Sequence, residues 1–190
     1  MLEAEVKLRL DVGLRAALEA RLAALGAHAG AEIEQIDEYL SHPSRDLRQT
    51  DEALRLRQTP DALRLTYKGP KLDPPRKTRE EIEFALATDH ETASRLFSRL
   101  GFRRVEQVRK RRREYRLPED PPTSVAIDQV EGLGCFCEVE VEASSVAEGR
   151  ERIAARLGEL GLEHLPPVAE SYLELLLTAR TISSAGSPLG

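Results

Sequence analysis

In several short runs of this chain, ionised side chains recur at every second residue. LEAEVKLRL puts Glu3, Glu5, Lys7 and Arg9 on one parity and aliphatic residues on the other. ALRLRQT sets Arg55 and Arg57 between leucines, LRLTYK sets Arg64, Thr66 and Lys68, and TREEIEF sets Arg79, Glu81 and Glu83. SVAIDQV presents Asp128, and CFCEVEVE presents Glu138, Glu140 and Glu142. Guanidinium and ammonium groups gathered on one face suit a polyanion, binding phosphate oxygens as bidentate forks or as point charges. Carboxylates repel phosphate but hold hard divalent cations such as Mg²⁺ or Mn²⁺, which themselves ligate phosphate oxygens. The two sets together point to a substrate with several linked phosphates and to stabilisation of charge on a phosphate leaving group.

Alternation with period two is the pattern of strands, so strands must carry these groups. Residues 2–10, 31–41, 53–59, 62–69, 78–86, 105–117, 124–130 and 135–143 are expected to be strands. Pro60-Asp61 and EGLG mark tight turns, and PKLDPPRK (70–77) reads as an exposed loop. Helices are expected over about 12–26, 90–100, 145–160 and 168–179, the first capped by Asp11 and ended by Gly26. About eight strands joined mostly by short turns suit an antiparallel sheet with helices outside, an α+β fold. For any single strand, a half-solvated sheet explains the alternation equally well. Across the whole chain, the helices' apolar stripes must cover the apolar strand faces, which leaves the charged faces opposed. The expectation is a closed eight-stranded antiparallel β-barrel, a tunnel with a polar, charged lumen. VRKRRREYR carries charge on both faces; the odd residues share theirs with Tyr115 and Leu117, which favours Lys110 and Arg112 for the lumen.

The 190 residues suit one domain, expected over 1–179 with a flexible tail at 180–190. The composition, 41% hydrophobic and 32% charged, is globular, and a formal charge of −5 argues against general nucleic-acid binding. No signal-like N-terminus and no run of about 18 apolar residues is present, so neither export nor a membrane helix is expected. Cys135 and Cys137 read as reduced core residues of a cytoplasmic protein. His28, His42, His90 and His164 lack metal-ligand spacing and read as surface residues, and Tyr172 reads as a packing residue.

Glu3-Ala-Glu5-Val-Lys7 at the N-terminus resembles the ExExK signature of the CYTH domain, the triphosphate tunnel metalloenzymes. The likeness runs to about residue 178 through QIDEYL, DEALRLR, LTYKGP, TREEIE, VRKRRREY, IDQVEGLG and FCEVEVE. DQVEGLG and SYLELL are most similar to the CyaB-like branch, the class IV adenylate cyclases. The resemblance implies an eight-stranded tunnel that contains Mg²⁺ or Mn²⁺. It implies Glu3, Glu5, Asp128, Glu138 and Glu140 as metal-associated acids. It also implies Lys7, Arg55, Arg57, Lys68, Arg79, Lys110 and Arg112 as triphosphate-binding bases, with Lys7, Lys68 and Lys110 catalytic. Glu81 and Glu83 match acidic tunnel positions without an assigned role.

The implied activity is metal-dependent processing of the triphosphate of ATP or a related compound. It proceeds by cyclisation to cyclic AMP with release of pyrophosphate, or by hydrolysis as in an inorganic or thiamine triphosphatase. The signature begins two residues from Met1, without the His-Phe extension of some cyclases in the branch, which counts against cyclisation. A non-catalytic nucleotide- or polyphosphate-binding module is the alternative from another class. The expected partners are a small-molecule triphosphate and a second copy of the chain in a homodimer, with no nucleic acid and no membrane.

Overall fold

The structure is a computed structural model that describes residues 2–70, 80–119 and 122–185. The elements run β1 (Leu2–Leu10), α1 (Val12–Ala24), β2 (His28–Ser41), β3 (Ala53–Gln58), β4 (Leu63–Lys68) and β5 (Glu81–Leu86). They continue with α2 (His90–Arg99), β6 (Arg103–Arg116), β7 (Thr123–Val130), β8 (Gly134–Ala143), α3 (Val146–Leu160) and α4 (Tyr172–Ala185). The PKLDPPRK loop expected over 70–77 lies almost wholly outside the described residues, as does Arg79.

Local chemistry accounts for the boundaries. Asp11 Oδ1 accepts the Leu14 N–H at 2.8 Å, Asp89 Oδ1 accepts that of Thr92 at 2.8 Å, and Ser145 Oγ accepts that of Glu148 at 3.2 Å. Each thereby satisfies a donor that the first helical turn leaves orphaned. The turn between β7 and β8 places Gly132 and Gly134 at φ +75° and +101°, a region that side-chain-bearing residues rarely adopt.

All eight strands form one antiparallel sheet in the order β1-β8-β7-β6-β2-β3-β4-β5. The expected closed barrel is therefore corrected to an open sheet, because among the described residues no ladder joins the edge strands β1 and β5. The free edge of β1 is occupied by the segment that leads into α4. Val168 N–H donates to Lys7 O at 2.8 Å, and Leu8 bridges Pro167.

The apolar face meets α1 and α3 through Leu8, Leu18, Leu22, Val139, Leu160 and Leu162, and meets α2 through Leu56, Leu63, Ala93 and Phe97. At Gly149, α3 comes so close that an added Cβ would stand 2.8 Å from that of Ala4, which fixes the helix against β1. Cys137 is a free thiol in this core, and burial pushes it up to about 12.

A second departure concerns α4. The expectation put every helix outside the charged face, but α4 packs on it. Tyr172 and Leu176 rest against Val108, Val130 and Phe136, which share the parity of Lys110, Asp128 and Glu138. The helix also continues past 179 to Ala185, and Arg180 meets the buried Glu106 at 2.8 Å. The charged face is thus covered without closure of the sheet.

Candidate active site

Strand register pairs the charges. Antiparallel strands bring facing residues within reach of one another, and several facing pairs on this face carry opposite charge. Lys7 of β1 faces Glu138 of β8, with Nζ 3.6 Å from the carboxylate. Arg112 of β6 faces Asp128 of β7 and grips both its oxygens, at 2.7 and 2.6 Å. Arg57 of β3 faces Asp37 of β2 in the same bidentate way, at 2.6 and 2.7 Å. Lys68 of β4 faces Glu81 of β5 at 2.6 Å. Along one row Arg55, Thr66 and Glu83 link three strands, with Arg55 donating to Thr66 at 3.2 Å and Thr66 to Glu83 at 2.6 Å.

The β6–β8 part is densely knotted. Asp128 is fully buried; its Oδ2 accepts from Lys110 at 3.0 Å, from Arg112 and from Tyr172 Oη at 2.8 Å. Arg112 also donates to Glu138. Lys7 Nζ donates to the Glu170 carbonyl at 3.0 Å and stands 4.1 Å from the centre of the Tyr172 ring. Ionisation follows this packing. Burial opposes the charge on Lys110 and, with the neighbouring Arg112, brings it down to about 8 despite Asp128 and Glu138. Burial likewise works against the Asp37 carboxylate, but the hydrogen bonds and charge of Arg57 outweigh it and hold the group at about 2. Asp128 is held low against its burial by Arg112 and Lys110, and Tyr172 is driven far up by burial and by Glu138 and Asp128.

Of the bases expected from sequence, Lys7, Arg55, Arg57, Lys68, Lys110 and Arg112 occupy one face, and Arg109 and Arg111 of β6 project from the other. Arg9, on the parity of Lys7 at the end of β1, stacks on Phe136 at 4.5 Å and donates to Leu133 O at 2.6 Å. Asp37, Thr66, Glu81 and Glu83 take part without having had an assigned role, and Tyr172, read from sequence as a packing residue, joins them. The signal for Asp37 lay in IEQIDEYL, where the residue faces Arg57 once register is known. For Tyr172 no local signal existed, since its contacts are long-range. His90 is not a free surface residue: its Nε2 lies 3.3 Å from Glu38 of β2.

The acids divide in the same way. Asp128 is committed to cations. Glu5 and Glu140 instead face each other in register across β1 and β8, half-buried, as a like-charged pair. Glu3 is in register with Glu142, and its side chain lies outside the described residues. Like charges directly opposite are unfavourable, and a cation between them relieves the repulsion. Among the described residues no three His, Cys, Asp or Glu side chains converge as a metal cage. Two all-oxygen carboxylates still fit a hard ion that takes its other ligands from water and phosphate, the usual habit of Mg²⁺. Elsewhere, a groove of about 470 Å³ between Glu34, Arg109, Arg111 and the β7–β8 turn mixes both signs of charge and shares Lys110 alone with this array.

A sheet of this order with a lysine-arginine array on one face defines a class, and comparison with known proteins agrees. The chain matches the CYTH domain family over residues 1–172 and belongs to it. It is 38% identical over 179 residues to a Methanocaldococcus jannaschii protein provisionally named an adenylate cyclase, covering 92% of this chain and 98% of that one. It is 30% identical to adenylate cyclase CyaB of Aeromonas hydrophila over 98% of this chain and 94% of that one. A solved Pyrococcus horikoshii protein superimposes with a TM-score of 0.78 at 34% identity, covering 93% and 98% of the two chains. Among the described residues no helix is long and apolar enough to cross a membrane.

Proposed function

We propose that the chain is a divalent-metal-dependent enzyme that cleaves the triphosphate of ATP or a related compound. The observation that carries this reading is Arg55 Nε, a donor buried within the cationic array with no hydrogen-bond partner among the described residues. Buried polar groups are almost always satisfied, so an orphaned guanidinium donor among lysines and arginines suits an anionic ligand. Lys7, Arg55, Arg57, Lys68, Lys110 and Arg112 bind successive phosphate oxygens. Asp37 and Asp128 hold Arg57 and Arg112 in fixed orientation, so the site is organised before substrate arrives. Mg²⁺ or Mn²⁺ at Glu5 and Glu140, with Glu138 and Glu3 nearby in sequence, would supply further neutralisation of phosphate charge.

In cyclisation the ribose 3′-oxygen bonds the α-phosphorus, its proton departs, and the α–β P–O bond breaks to release pyrophosphate. In hydrolysis a water oxygen bonds the terminal phosphorus, its proton departs, and the β–γ P–O bond breaks, so that the diphosphate leaves and the attacked phosphorus becomes inorganic phosphate. The relatives named adenylate cyclases supply the cyclisation reading, and both reactions use the same cations. The two unpaired thiols agree with a reducing cytoplasm.

The test is a panel of ATP, inorganic triphosphate and thiamine triphosphate with Mg²⁺, with Mn²⁺ or with excess chelator, the products resolved by chromatography. Metal-dependent turnover is expected, with cyclic AMP plus pyrophosphate or free phosphate identifying the reaction. Undiminished turnover in chelator overturns the metal requirement. Binding with no product after hours makes the chain a binding module.

A further inference from the structure

Tyr172 places its ring beside both lysines of the β1–β6 end. Its ring centre lies 4.1 Å from Lys7 Nζ and 5.1 Å from Lys110 Nζ, although β8 and β7 separate their strands in the sheet. Its hydroxyl donates to Asp128 Oδ2 at 2.8 Å, and Phe136 meets the ring edge-on at 5.1 Å. The residue is 7% exposed, so both its ring and its hydroxyl are fixed. We infer that Tyr172 is a positioning residue for the triphosphate: its ring fixes the Lys7 and Lys110 ammonium groups beside the carboxylates they pair with, and adds no further negative charge. This inference rests on the function proposed above.

The choice of an aromatic ring has a physical reason. A lysine stem is flexible, and an ammonium left unheld in a buried array turns to the nearest carboxylate. Asp128 stands 3.0 Å from Lys110 and Glu138 3.6 Å from Lys7, so each ammonium already has one carboxylate beside it. A second carboxylate would fix the ammonium more firmly but cancel the charge that the phosphate needs. A ring attracts the cation through its quadrupole and adds no formal charge, so the field toward an anion survives. The hydroxyl meanwhile fills a lone pair on Asp128 Oδ2 with a neutral donor, which limits that acid's pull on Lys110. In SYLELL, Tyr172 opens α4, and the backbone just before it is pinned to β1 by the Val168 N–H to Lys7 O bond. The ring is therefore presented by the same segment that closes the β1 edge.

Two variants separate the ring from the hydroxyl. Y172L removes the ring and Y172F keeps it. With each variant melted by circular dichroism and assayed below its transition, Y172L is expected to raise KM for the triphosphate about tenfold, with a smaller change in kcat. Y172F is expected to recover most of that loss. An unchanged KM in Y172L, or a KM in Y172F as high as in Y172L, overturns the role of the ring. A second readout needs no turnover: the ε-methylene protons of Lys7 and Lys110 should be shifted upfield by the ring current in the wild-type protein and Y172F, and should return to ordinary positions in Y172L. If the wild-type protein neither binds nor turns over inorganic triphosphate or ATP, the proposed function fails. The lysine shifts then decide the positioning alone, and ordinary shifts in the wild-type protein overturn it.

Discussion

At the β6–β8 end of the charged face, Asp128 is fully buried beneath Tyr172 and takes donors from Lys110, Arg112 and the tyrosine. At the β4–β5 end, Lys68 and Glu81 meet at 2.6 Å with side chains 23% and 42% exposed. Both are register pairs on one face of one sheet, yet they stand in different media. Under α4 the low dielectric magnifies every attraction and every unmet charge, so those residues are bound to the stability of the fold. At the β5 edge water screens the pair, so its residues are available to a ligand at little structural cost. The array grades from a scaffold to a docking end, and substitutions along it should separate stability from activity.

The most damaging change should be Asp128→Asn. It keeps the shape but leaves Lys110 and Arg112 facing a neutral amide in a buried site. Breaking one partner of such a network costs about 3–5 kcal/mol. Urea unfolding of the wild-type and D128N proteins should show the midpoint falling with little change in slope. A difference below about 1 kcal/mol, the range of exposed pairs, would erase the contrast between the two ends.

Asp37→Asn lies between the extremes and adds a pH signature. Asp37 is 2% exposed; burial raises its carboxyl, and Arg57 with Arg55 lowers it further, to about 2 from an ordinary 3.8. Because the folded value is the depressed one, the stabilisation is present above about pH 4 and is lost as pH falls toward 2. It amounts to about 2 kcal/mol. The gap in unfolding free energy between the wild-type and D37N proteins should therefore narrow by about that much from pH 5 to pH 2. A gap constant over that range would show that the Arg57 pair adds no net stability.

Alternation alone identified most of this face. Lys7, Arg55, Lys68 and Glu138 share a parity with their neighbours, and a strand has only two faces. Even Lys110 and Arg112, in a strand charged on both sides, could be assigned through Tyr115, which belongs to the apolar core. Closure could not be read this way. Alternation says which side chains share a face, not what satisfies the two edges, and the β1 edge is met by Pro167 and Val168, far away in sequence. Tyr172 escaped for the same reason. Near its own neighbours in SYLELL it is one more apolar position, and its hydroxyl finds a partner 44 residues away. Asp37 becomes visible only once register sets it opposite Arg57, and the pairing of Asp128 with Arg112 likewise needs the register.

The smallest structural effect and a sizeable functional one should coincide at Lys68→Gln. Its ion pair with Glu81 is partly solvated, so losing it should move unfolding free energy by no more than about 1 kcal/mol. A charge-assisted bond from an ammonium to phosphate is worth more, about 1.5–3 kcal/mol, so kcat/KM for the triphosphate should fall about 10- to 100-fold. The interaction is exposed, so the loss should also shrink as salt is raised and the wild-type protein weakens toward the variant. Steady-state kinetics at two ionic strengths, alongside a denaturant titration, measure both quantities on one preparation. If K68Q destabilises the fold as much as D128N does, or leaves kcat/KM intact, the β4–β5 end is scaffold like the other and the gradient along the face is lost.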